Sequence, residues 1–454
     1  MSTFTCPEPK LLSKKELNEA LKHFKAILKM DSRNPDSNEK KVIEYIASIF
    51  KKEKIPYKIV QKEKGRLNIV ARLKSKSQNQ GLLLSSHVDT VPWDESKWKH
   101  HPLSAKEDDG YIYGRGAIDM KNHTIYSLMA FLLLKRKKIK LNRDVVFAAF
   151  ADEEAGCEYG SQFVVEKHPK LLEGVGYALN EVGGFPVYVE DKQFFFIQTE
   201  EKGFAWYKIT FPGKESHGSL ATKDNANYHL SDFLFDLKNL SSPANPSKVT
   251  REMIYSMSEE LPAIKKFIFR LLATSWGNSL AINVLPAEKR EAFYAMTHDT
   301  FAPTVIESSK KINVVPGEAA VYVDCRFLPD TSVEEATETL KAILPENATL
   351  QLIRHGGPVT DVGRGPFYDL ITEELTKDVP DAQCVPYTLV GFSDANQLYK
   401  LGIQVLGFSP VFFPPEVNFS DLFHGHNERI HKKGFLWGTD LFYRVVQSFC
   451  TETN

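Results

Sequence analysis

The sequence predicts an α/β protein in which a mixed, mostly parallel sheet is interrupted by an inserted α+β domain. The chain has 454 residues, which exceeds the usual size of one domain. Strand-like and helix-like segments alternate as far as about residue 198, the pattern of a parallel sheet. From Phe204 the pattern changes to the strict alternation of half-exposed strands. We therefore predict a first domain part at 1–203, an insert at 204–355 and a second part at 356–454.

The first part opens with helices and then strands of one sheet. Helices are predicted at 16–30 and 39–54, and strands follow at 57–61 and 66–73. The next apolar run, 81–86, has the composition of a buried strand. The first polar residues that could be catalytic or bind a metal therefore come directly after a strand of the sheet interior.

His87 and Asp89 follow this strand and form the first candidate site. A histidine at the carboxyl end of a parallel strand points into the crevice where open α/β sheets bind ligands. The spacing lets one imidazole nitrogen bind a metal while a nearby carboxylate orients the ring. Taken alone, His87 has an alternative interpretation as a core histidine whose nitrogens are satisfied by its neighbours.

Carboxylates recur where later apolar segments end. Each one alone could be the N-cap of the next helix. Because the exits of parallel strands meet at one sheet edge, we expect these side chains to converge there. Histidines and carboxylates without thiolates fit Zn²⁺, with Co²⁺ or Mn²⁺ as alternatives. The residues are Asp119 after 111–113, Glu153 and Glu154 after 144–150, Glu181 after 176–180, and His424 after 404–408.

Glu153 and Glu154 are informative because they are adjacent in sequence. Just past the end of a strand, neighbouring side chains diverge. One of the two carboxylates can therefore bind a metal while the other faces a water molecule.

The overall charge argues against two classes of partner. The net charge is −1, so no bulk electrostatic attraction to nucleic acid or membranes is expected. A basic cluster at 135–140 follows a predicted helix at 124–134, where cations complement the helix dipole. No apolar run approaches the length of about 20 residues that a membrane span needs.

The first residues and the cysteines indicate a compartment. The N-terminal sequence lacks a basic region followed by an apolar one, as a secretion signal would have. The five cysteines are scattered and odd in number, which favours reduced thiols over a disulfide framework. We therefore expect a cytoplasmic protein.

The insert has its own strand and helix pattern. Strands are predicted at 204–211, 321–327 and 349–353, with a helix at 333–344. An additional polar and helical stretch occupies about 242–297 between the strands. The first domain resumes at about residue 366.

The motifs together resemble the M20 metallopeptidases, which include aminoacylase-1, carboxypeptidase S and glutamate carboxypeptidase. The resemblance covers nearly the whole chain, and the long 242–297 stretch is similar to the enlarged lids of the carboxypeptidase S and N-fatty-acyl amino acid hydrolase branch. It rests on 34–39, 86–92 (Ser-His-Val-Asp-Thr-Val-Pro), 114–121, 152–156, 180–184, 216–219, 313–316, 324–326, 393–394 and 423–429.

The resemblance implies a zinc-peptidase catalytic domain with two metal ions per subunit. Asp119 would bridge the ions, with His87 and Glu181 at one and Glu154 and His424 at the other. His424 is preferred to His426 because the family has a His-x-x-x-Glu spacing, which His424 and Glu428 meet. Glu153 would be the general base, and Asp89 would orient His87.

The resemblance also gives the insert a role as a lid and dimerisation domain. His217 would help to stabilise the oxyanion, within its own subunit or across a homodimer. Asn313, Arg326 and Ser393 match positions that contact substrate, although Arg326 could instead be an ion-pair partner between strands. Asn396 stands where many relatives have an arginine, so this position offers no guanidinium group to a substrate carboxylate.

These observations predict a di-zinc hydrolase that cleaves the amide between an acyl or peptidyl group and a free amino acid. The substrate would be a small N-acyl amino acid or a short peptide. A dipeptidase of the same family is the nearest alternative. A catalytically silent relative that binds ligands in the cleft is a second one, and a scaffold protein finds no support in repeats, coiled coil or charged tails.

Overall fold

The computed structural model describes residues 5–190, 192–360, 364–417 and 421–451. The chain divides into two compact units. The first contains Met1–Thr199, Val362–Val385 and Ser393–Asn454, and the second contains Glu200–Asp361 and Pro386–Phe392. The predicted insert, 204–355, lies within the long segment of the second unit.

The helices include those predicted from the sequence, with ends that differ by a few residues. None of those described is long and apolar enough to cross a membrane. The first one begins at a capping box, in which Ser13 and Glu16 satisfy each other's backbone N–H groups. The α-helices of the described residues are α1 (Lys14–Leu28), α2 (Lys40–Lys52), α3 (Lys121–Arg136), α4 (Ser161–Lys167), α5 (Ala226–Asn239), α6 (Lys248–Ser258), α7 (Ala263–Leu271), α8 (Asn278–Asn283), α9 (Ala287–Thr297), α10 (Val333–Lys341), α11 (Pro366–Thr376), α12 (Ala395–Leu398) and α13 (Lys432–Cys450).

The strands include each one predicted from the sequence, with ends that differ by a few residues. They are β1 (Tyr57–Gln61), β2 (Leu67–Leu73), β3 (Asn79–His87), β4 (Lys106–Asp108), β5 (Tyr111–Tyr113), β6 (Arg143–Phe150), β7 (Val175–Asn180), β8 (Gly183–Val189), β9 (Lys192–Glu201), β10 (Gly203–Pro212), β11 (Ser216–His217), β12 (Thr300–Glu307), β13 (Val314–Val315), β14 (Glu318–Phe327), β15 (Thr349–Gly356), β16 (Gln383–Leu389), β17 (Gln404–Gly407) and β18 (Arg429–His431).

The main sheet is mixed, and its centre is parallel. The strand order is β1-β2-β6-β3-β7-β17-β9-β16, with β8 paired to β9. The central neighbours β6, β3, β7 and β17 run parallel to one another. The outer pairs β1–β2, β2–β6 and β8–β9 are antiparallel. The predicted α/β class is thus confirmed, and the parallel strands bring their carboxyl ends to one edge.

Helix α3 forms the centre of the first unit beside this sheet. Every residue from Lys121 to Leu134 is buried, and the helix packs against α1, α13 and β3. Its last turn carries the basic cluster, where Arg136 pairs with Glu19 at 2.8 Å and Lys137 pairs with Glu16 at 3.0 Å. These ion pairs support the structural interpretation of the basic cluster.

The second unit is built on a four-stranded antiparallel sheet in the order β12-β14-β10-β15. Strand β10 pairs with β14 along its whole length, from Gly203 opposite Phe327 to Pro212 opposite Glu318. One face of these strands packs against α5 and α10, which gives this unit a hydrophobic core of its own. Helices α6 to α9 form the additional stretch predicted at 242–297.

Candidate metal centre and active site

Five acidic or histidine side chains meet near the carboxyl ends of the parallel strands. His87 ends β3, and its Nε2 lies 3.1 Å from Oδ1 of Asp119 and 3.6 Å from Oε2 of Glu181. Glu153, at the exit of β6, places Oε2 at 3.9 Å from the same nitrogen. Two groups of three residues could each hold a metal ion: His87, Asp119 and Glu154, and His87, Glu153 and Glu181. The convergence expected from the sequence is therefore present.

Asp119 faces a histidine with each of its carboxylate oxygens. Oδ1 is 3.1 Å from Nε2 of His87, and Oδ2 is 3.1 Å from Nε2 of His424. It lies on the connection between β5 and α3, as the sequence predicted. A carboxylate placed in this way can bind one ion with each oxygen.

The turn that presents Asp119 is held by Glu428. Its Oε1 accepts the N–H groups of Ile118 and Asp119, and its Oε2 accepts the N–H of Gly116. Arg115 Nη1 donates to the same carboxylate at 2.9 Å. Because these donors lie over 300 positions earlier in sequence, Glu428 ties the His424 segment to the Asp119 turn.

Glu153 and Glu154 point in different directions, as adjacency past a strand end predicts. Glu154 directs Oε2 to His424 Nε2 at 3.1 Å, whereas Glu153 approaches His87. Both residues begin a short 3-10 helix after Asp152, whose backbone is left-handed at φ 64°. Each carboxylate therefore contributes to a different part of the same cluster.

Glu181 is positioned by a close approach of two strands. It follows β7, and Gly183 two residues later has φ +135°. A Cβ at Gly183 would lie 2.1 Å from the carbonyl oxygen of Gly407 on β17. Only glycine fits there, and the turn directs Glu181 into the cluster.

His424 lies close to the cluster, and His426 is exposed to solvent. The His424 imidazole contacts Asp119 and Glu154, although just over half of its side chain is exposed. The geometry thus brings His424 to Asp119 and Glu154, and its role as a metal ligand stays a prediction.

Asp89 connects His87 to the Glu153–Glu154 turn. Its Oδ1 lies 3.4 Å from Nδ1 of His87, whose ring also contacts the Asp89 carbonyl oxygen at 3.1 Å. The same carboxylate accepts the backbone N–H groups of Glu153 at 3.1 Å and Glu154 at 3.2 Å. Asp89 therefore fixes the imidazole and both glutamates at once.

A buried polar network supports Asp89 from behind. Asn34 donates from Nδ2 to Asp89 at 3.0 Å and to Asp152 at 2.8 Å. Arg66 donates to Asn34 Oδ1 at 2.9 Å and to Glu39 at 2.6 Å. Asn34 thus links Asp89 to Asp152, the residue that precedes the Glu153–Glu154 turn.

The cluster concentrates negative charge in a buried place. Burial and the nearby Glu181 carboxylate raise the pKa of Glu153 well above its usual value. Burial and Asp119 raise the pKa of Glu154 to about 7. Burial lowers the pKa of His87, but carboxylates including Glu181 and Asp119 raise it more, so that it lies well above the usual value.

The carboxylates of the cluster also stabilise the protonated form of His424. Its hydrogen bonds to Asp119 and Glu154 raise its pKa to about 11. Buried carboxylates in excess are stabilised by protons or by metal cations, and a metal must displace these protons when it binds. The site is therefore built to hold cations.

The donor set fits a metal ion. Glu181 Oε1 is buried and has no hydrogen-bond partner among the described residues. Buried carboxylate oxygens are normally paired or coordinate a metal, and nitrogen and oxygen donors suit zinc and its neighbours. The cluster around His87, Asp119, Glu153 and Glu181 is thus a possible metal-binding site.

Ser393 lies in the same unit but is fully buried. Its hydroxyl accepts from Asn180 Nδ2 at 3.1 Å and from the N–H of Ala395 at 3.2 Å. Its neighbour Asp394 is also fully buried, beside Cys157 and Ser161, and burial raises the pKa of Asp394 to about 7. A substrate contact of Ser393 stays a prediction.

The other predicted residues belong to the second unit. His217 on β11 is adjacent to Asn313, whose carbonyl oxygen accepts the N–H of Gly218 at 2.8 Å. Arg326 on β14 forms a bidentate ion pair with Asp324, two residues earlier on its own strand. Its Nη1 is buried without a hydrogen-bond partner in the described parts of the chain.

The roles of some buried polar residues were not predicted from the sequence. Asn34 and Glu428 were recognised as parts of motifs, but their hydrogen bonds to distant residues were not predicted. Arg66 and Asp394 were not singled out as functional. Burial of a charged side chain next to a polar motif would have identified these two residues. A single sequence does not show burial, so this signal was not available before the structure.

Comparison with known proteins gives a consistent result. Residues 83–448 match the model of a family described as peptidase family M20/M25/M40. Aminoacylase-1B of Rattus norvegicus is 26% identical over 380 residues, which cover 82% of this chain and 80% of that protein. The N-fatty-acyl-amino acid synthase/hydrolase PM20D1 of Xenopus tropicalis is 26% identical over 381 residues, which cover 82% of this chain and 72% of that protein.

A solved structure shares the fold. The M20 family metallo-carboxypeptidase Sso-CP2 from Sulfolobus solfataricus matches with a TM-score of 0.71 and 20% sequence identity. The match covers 94% of this chain and 98% of that chain.

Proposed function

The chain belongs to peptidase family M20/M25/M40 and is a hydrolytic enzyme, and from this premise we propose that it is a di-zinc amidohydrolase. It would cleave the amide bond between an acyl or peptidyl group and a free amino acid. The observation that carries this proposal is the position of Asp119 between His87 and His424, at 3.1 Å from each.

The proposed ligands are those that converge on Asp119. Asp119 would bridge two ions, with His87 and Glu181 at one and Glu154 and His424 at the other. Zn²⁺ is proposed, with Co²⁺ or Mn²⁺ as alternatives. When bound, the ions would lower the pKa of a water molecule and polarise the scissile carbonyl.

Glu153 is proposed as the general base and then the general acid. Its carboxylate would accept a proton from water as the new C–O bond forms at the carbonyl carbon. It would return that proton to the leaving nitrogen as the C–N bond breaks, which gives a carboxylic acid and an amino acid. The contacts of Glu153 and Glu154 with different histidines support this separation of roles. The contacts of Asp89 with the His87 imidazole and with the backbone of the Glu153–Glu154 turn support its role as the group that orients His87.

His217 is proposed to donate a hydrogen bond to the oxyanion. Its Nδ1 accepts the N–H of Ser219 at 3.2 Å, which favours the tautomer with the proton on Nε2. An exposed Nε2–H can donate to an oxygen on which negative charge develops. Whether it acts within its own subunit or across a homodimer formed by the lid is part of the proposal to be tested.

Asn313, Arg326 and Ser393 are proposed substrate contacts. The unpaired Nη1 of Arg326 supports a carboxylate ligand, because a substrate carboxylate would satisfy this donor. A cytoplasmic location and a second unit that acts as a lid complete the proposal. The alternative within the family is a dipeptidase, and relatives named as aminoacylase and as fatty-acyl amino acid hydrolase favour acyl amino acids.

The test is hydrolysis of a small panel by zinc-loaded and chelator-treated protein. The panel contains acetyl, long-chain acyl and dipeptidyl derivatives of one amino acid, each with a free or an amidated carboxyl end. Metal-dependent release of the amino acid is expected, with loss of activity on the amidated compounds. Absence of turnover on every compound, with metal bound, would favour the silent ligand-binding alternative.

A further inference from the structure

A buried guanidinium lies behind the cluster, at the start of the strand next to the one that leads to the two glutamates. Arg66 directly precedes β2, and it is only 9% exposed. Strand β2 runs antiparallel to β6, with Ile69 opposite Ala149. The residues before β2 therefore lie beside those that follow β6, namely Asp152 and the turn with the two glutamates.

The Arg66 side chain divides its hydrogen bonds between two partners. Nη1 donates to Glu39 Oε1 at 2.6 Å, and Nη2 donates to Asn34 Oδ1 at 2.9 Å. The guanidinium carbon also lies 6.0 Å from the centre of the Tyr159 ring. Burial lowers the pKa of Arg66, but nearby carboxylates, Glu39 first, raise it more, so that it lies above the usual value. Arg66 is thus a permanent buried cation with a fixed orientation.

The contact with Arg66 determines how the Asn34 amide is oriented. Its Oδ1 accepts from Arg66, so its Nδ2 faces Asp89 and Asp152, to which it donates at 3.0 and 2.8 Å. An amide rotated by half a turn would put its oxygen against two carboxylates and its NH2 group against a guanidinium. All three hydrogen bonds would then be lost. Arg66 therefore stabilises the one orientation in which Asn34 holds both aspartates.

Both aspartates hold parts of the cluster. Asp89 lies beside the His87 imidazole and accepts the backbone N–H groups of the two glutamates of the turn. Asp152 precedes these glutamates and accepts the N–H of Tyr159, beyond the turn, at 3.0 Å. A displaced amide at Asn34 would therefore release the support of the imidazole and of the turn at once.

We propose that Arg66 is a positioning residue of the metal site, which acts through Asn34 on Asp89 and Asp152. This inference rests on the proposed function, because it concerns how firmly the metal ligands are held. Groups that orient metal ligands typically contribute about 10–100-fold to metal affinity or activity. Charge alone predicts a change of opposite sign, because removal of a nearby cation strengthens the binding of Zn²⁺. The direction of the change in zinc affinity therefore separates the two effects.

The zinc affinity of Arg66→Met tests the proposal without any substrate. Methionine keeps an apolar stem and removes the guanidinium. The metal-free, full-length protein is titrated with Zn²⁺ in competition with a chromogenic chelator, which gives the dissociation constant. We expect this constant to rise about tenfold or more, and kcat on the best substrate of the panel to fall with little change in KM. Unchanged or tighter zinc binding would overturn the proposal.

Arg72→Met is the matched control on the same strand. Arg72 donates to Asp144 at 2.9 Å and to the carbonyl oxygens of Leu171 and Glu173 at 3.0 and 2.9 Å. These partners lie outside the cluster, so we expect a lower melting temperature and a zinc affinity like that of the wild type. Equal losses of zinc affinity in the two variants would give Arg66 a general structural role and contradict the proposal.

A double-mutant cycle shows whether Arg66 acts through Asn34. If it does, Arg66→Met/Asn34→Ala should bind zinc no more weakly than Asn34→Ala alone, because the contact is already absent in the single variant. Losses of zinc affinity that multiply in the double variant would show that Arg66 acts by another route, and would overturn the proposal.

A further variant removes the arginine without leaving an unpaired charge. In Arg66→Met, Glu39 stays buried without its partner, which destabilises the fold. Arg66→Met/Glu39→Gln removes both charges of the pair, and its zinc affinity should fall as it does in Arg66→Met. Zinc affinity like that of the wild type in this double variant would contradict the proposal.

Failure of the proposed function gives a different result. A wild type that binds zinc but hydrolyses no compound of the panel overturns the proposed function alone, because the zinc affinities can still be compared. A wild type that binds no zinc overturns both. If the wild type binds zinc and is active while Arg66→Met binds zinc equally well, only the role of Arg66 is refuted.

Discussion

The Glu428 carboxylate lies 2.9 Å from Nη1 of Arg115, and both side chains are almost completely buried. The pair joins the segment that carries His424 to the turn that carries Asp119. Two parts of the chain that are distant in sequence are thereby held in one geometry, and the cluster depends on this link.

Glu428→Ala should destabilise the protein strongly. The change leaves the Arg115 guanidinium buried without its carboxylate, and loss of one partner of such a pair costs about 3–5 kcal/mol of unfolding free energy. Urea denaturation of the metal-free protein measures it. Glu338→Ala breaks an exposed pair with Lys341 and should cost less than about 1 kcal/mol. Equal losses of unfolding free energy in the two variants would show that the buried pair contributes no more to stability than the exposed one.

Glu153→Gln should keep the metal and lose turnover. The amide has nearly the same shape but accepts no proton, so the rate should fall on the order of a hundredfold or more. Metal content and kcat are measured on the same samples. Glu158→Gln, in the following segment, changes a half-buried glutamate that pairs with Lys62 outside the cluster and should retain activity. Turnover near that of the wild type in Glu153→Gln would remove this residue from the proposed role.

His424→Ala and His426→Ala should differ in metal stoichiometry. His424 contacts Asp119 and Glu154, whereas His426 is exposed. We expect the first variant to lose one of two bound ions and the second to keep both, as measured by elemental analysis after dialysis. The reverse result would transfer the ligand assignment to His426.

Asn34→Ala should weaken catalysis without touching the reacting groups. It removes the amide that holds both Asp89 and Asp152, and groups that orient metal ligands typically contribute about 10–100-fold to affinity or activity. We expect lower metal affinity and lower kcat with little change in KM. Asn239→Ala, at the exposed end of α5, is the control and should behave as the wild type. A change confined to stability would indicate a purely structural role.

Asp394 should make stability depend on pH. Burial raises its pKa from 3.8 to about 7 in the folded state, so the folded protein retains a proton that the unfolded chain has lost. The contribution of Asp394 to stability therefore falls as pH rises from about 4 to about 7. Asp394→Asn removes this dependence, and its stability relative to the metal-free wild type should rise over that range by on the order of a few kcal/mol.

Chemical denaturation at several pH values measures this difference. Asp94→Asn provides a control of opposite sign, because hydrogen bonds with Ser96 lower the pKa of Asp94. The Asp94 contribution is present at neutral pH and is lost on acidification. A flat difference between Asp394→Asn and the wild type would show that this carboxyl is not protonated in the folded state.

The strands and the approximate positions of the clustered side chains could be predicted from the sequence. Period and composition identify a buried strand such as β3, and parallel strands have only one edge at which His87, Glu153 and Glu181 can meet. Those local rules act over a few residues, so one chain is enough to apply them. They also favoured a structural role for the basic cluster at the end of α3, which its ion pairs with Glu19 and Glu16 support.

The contacts between distant segments were decided by the tertiary structure. The four hydrogen bonds that Glu428 accepts from 115–119, and the bridge of Asn34 between Asp89 and Asp152, depend on which loops fold together. The ion-pair partner of Arg326 is Asp324 on its own strand, and not a residue of a neighbouring strand. The burial that raises the pKa of Asp394 cannot be recognised from the residues next to it in sequence. Local propensity determines the helices and strands and the sheet edge at which the strands end. Hydrogen bonds between segments hundreds of residues apart, and the burial of charged side chains, exist only in the folded chain.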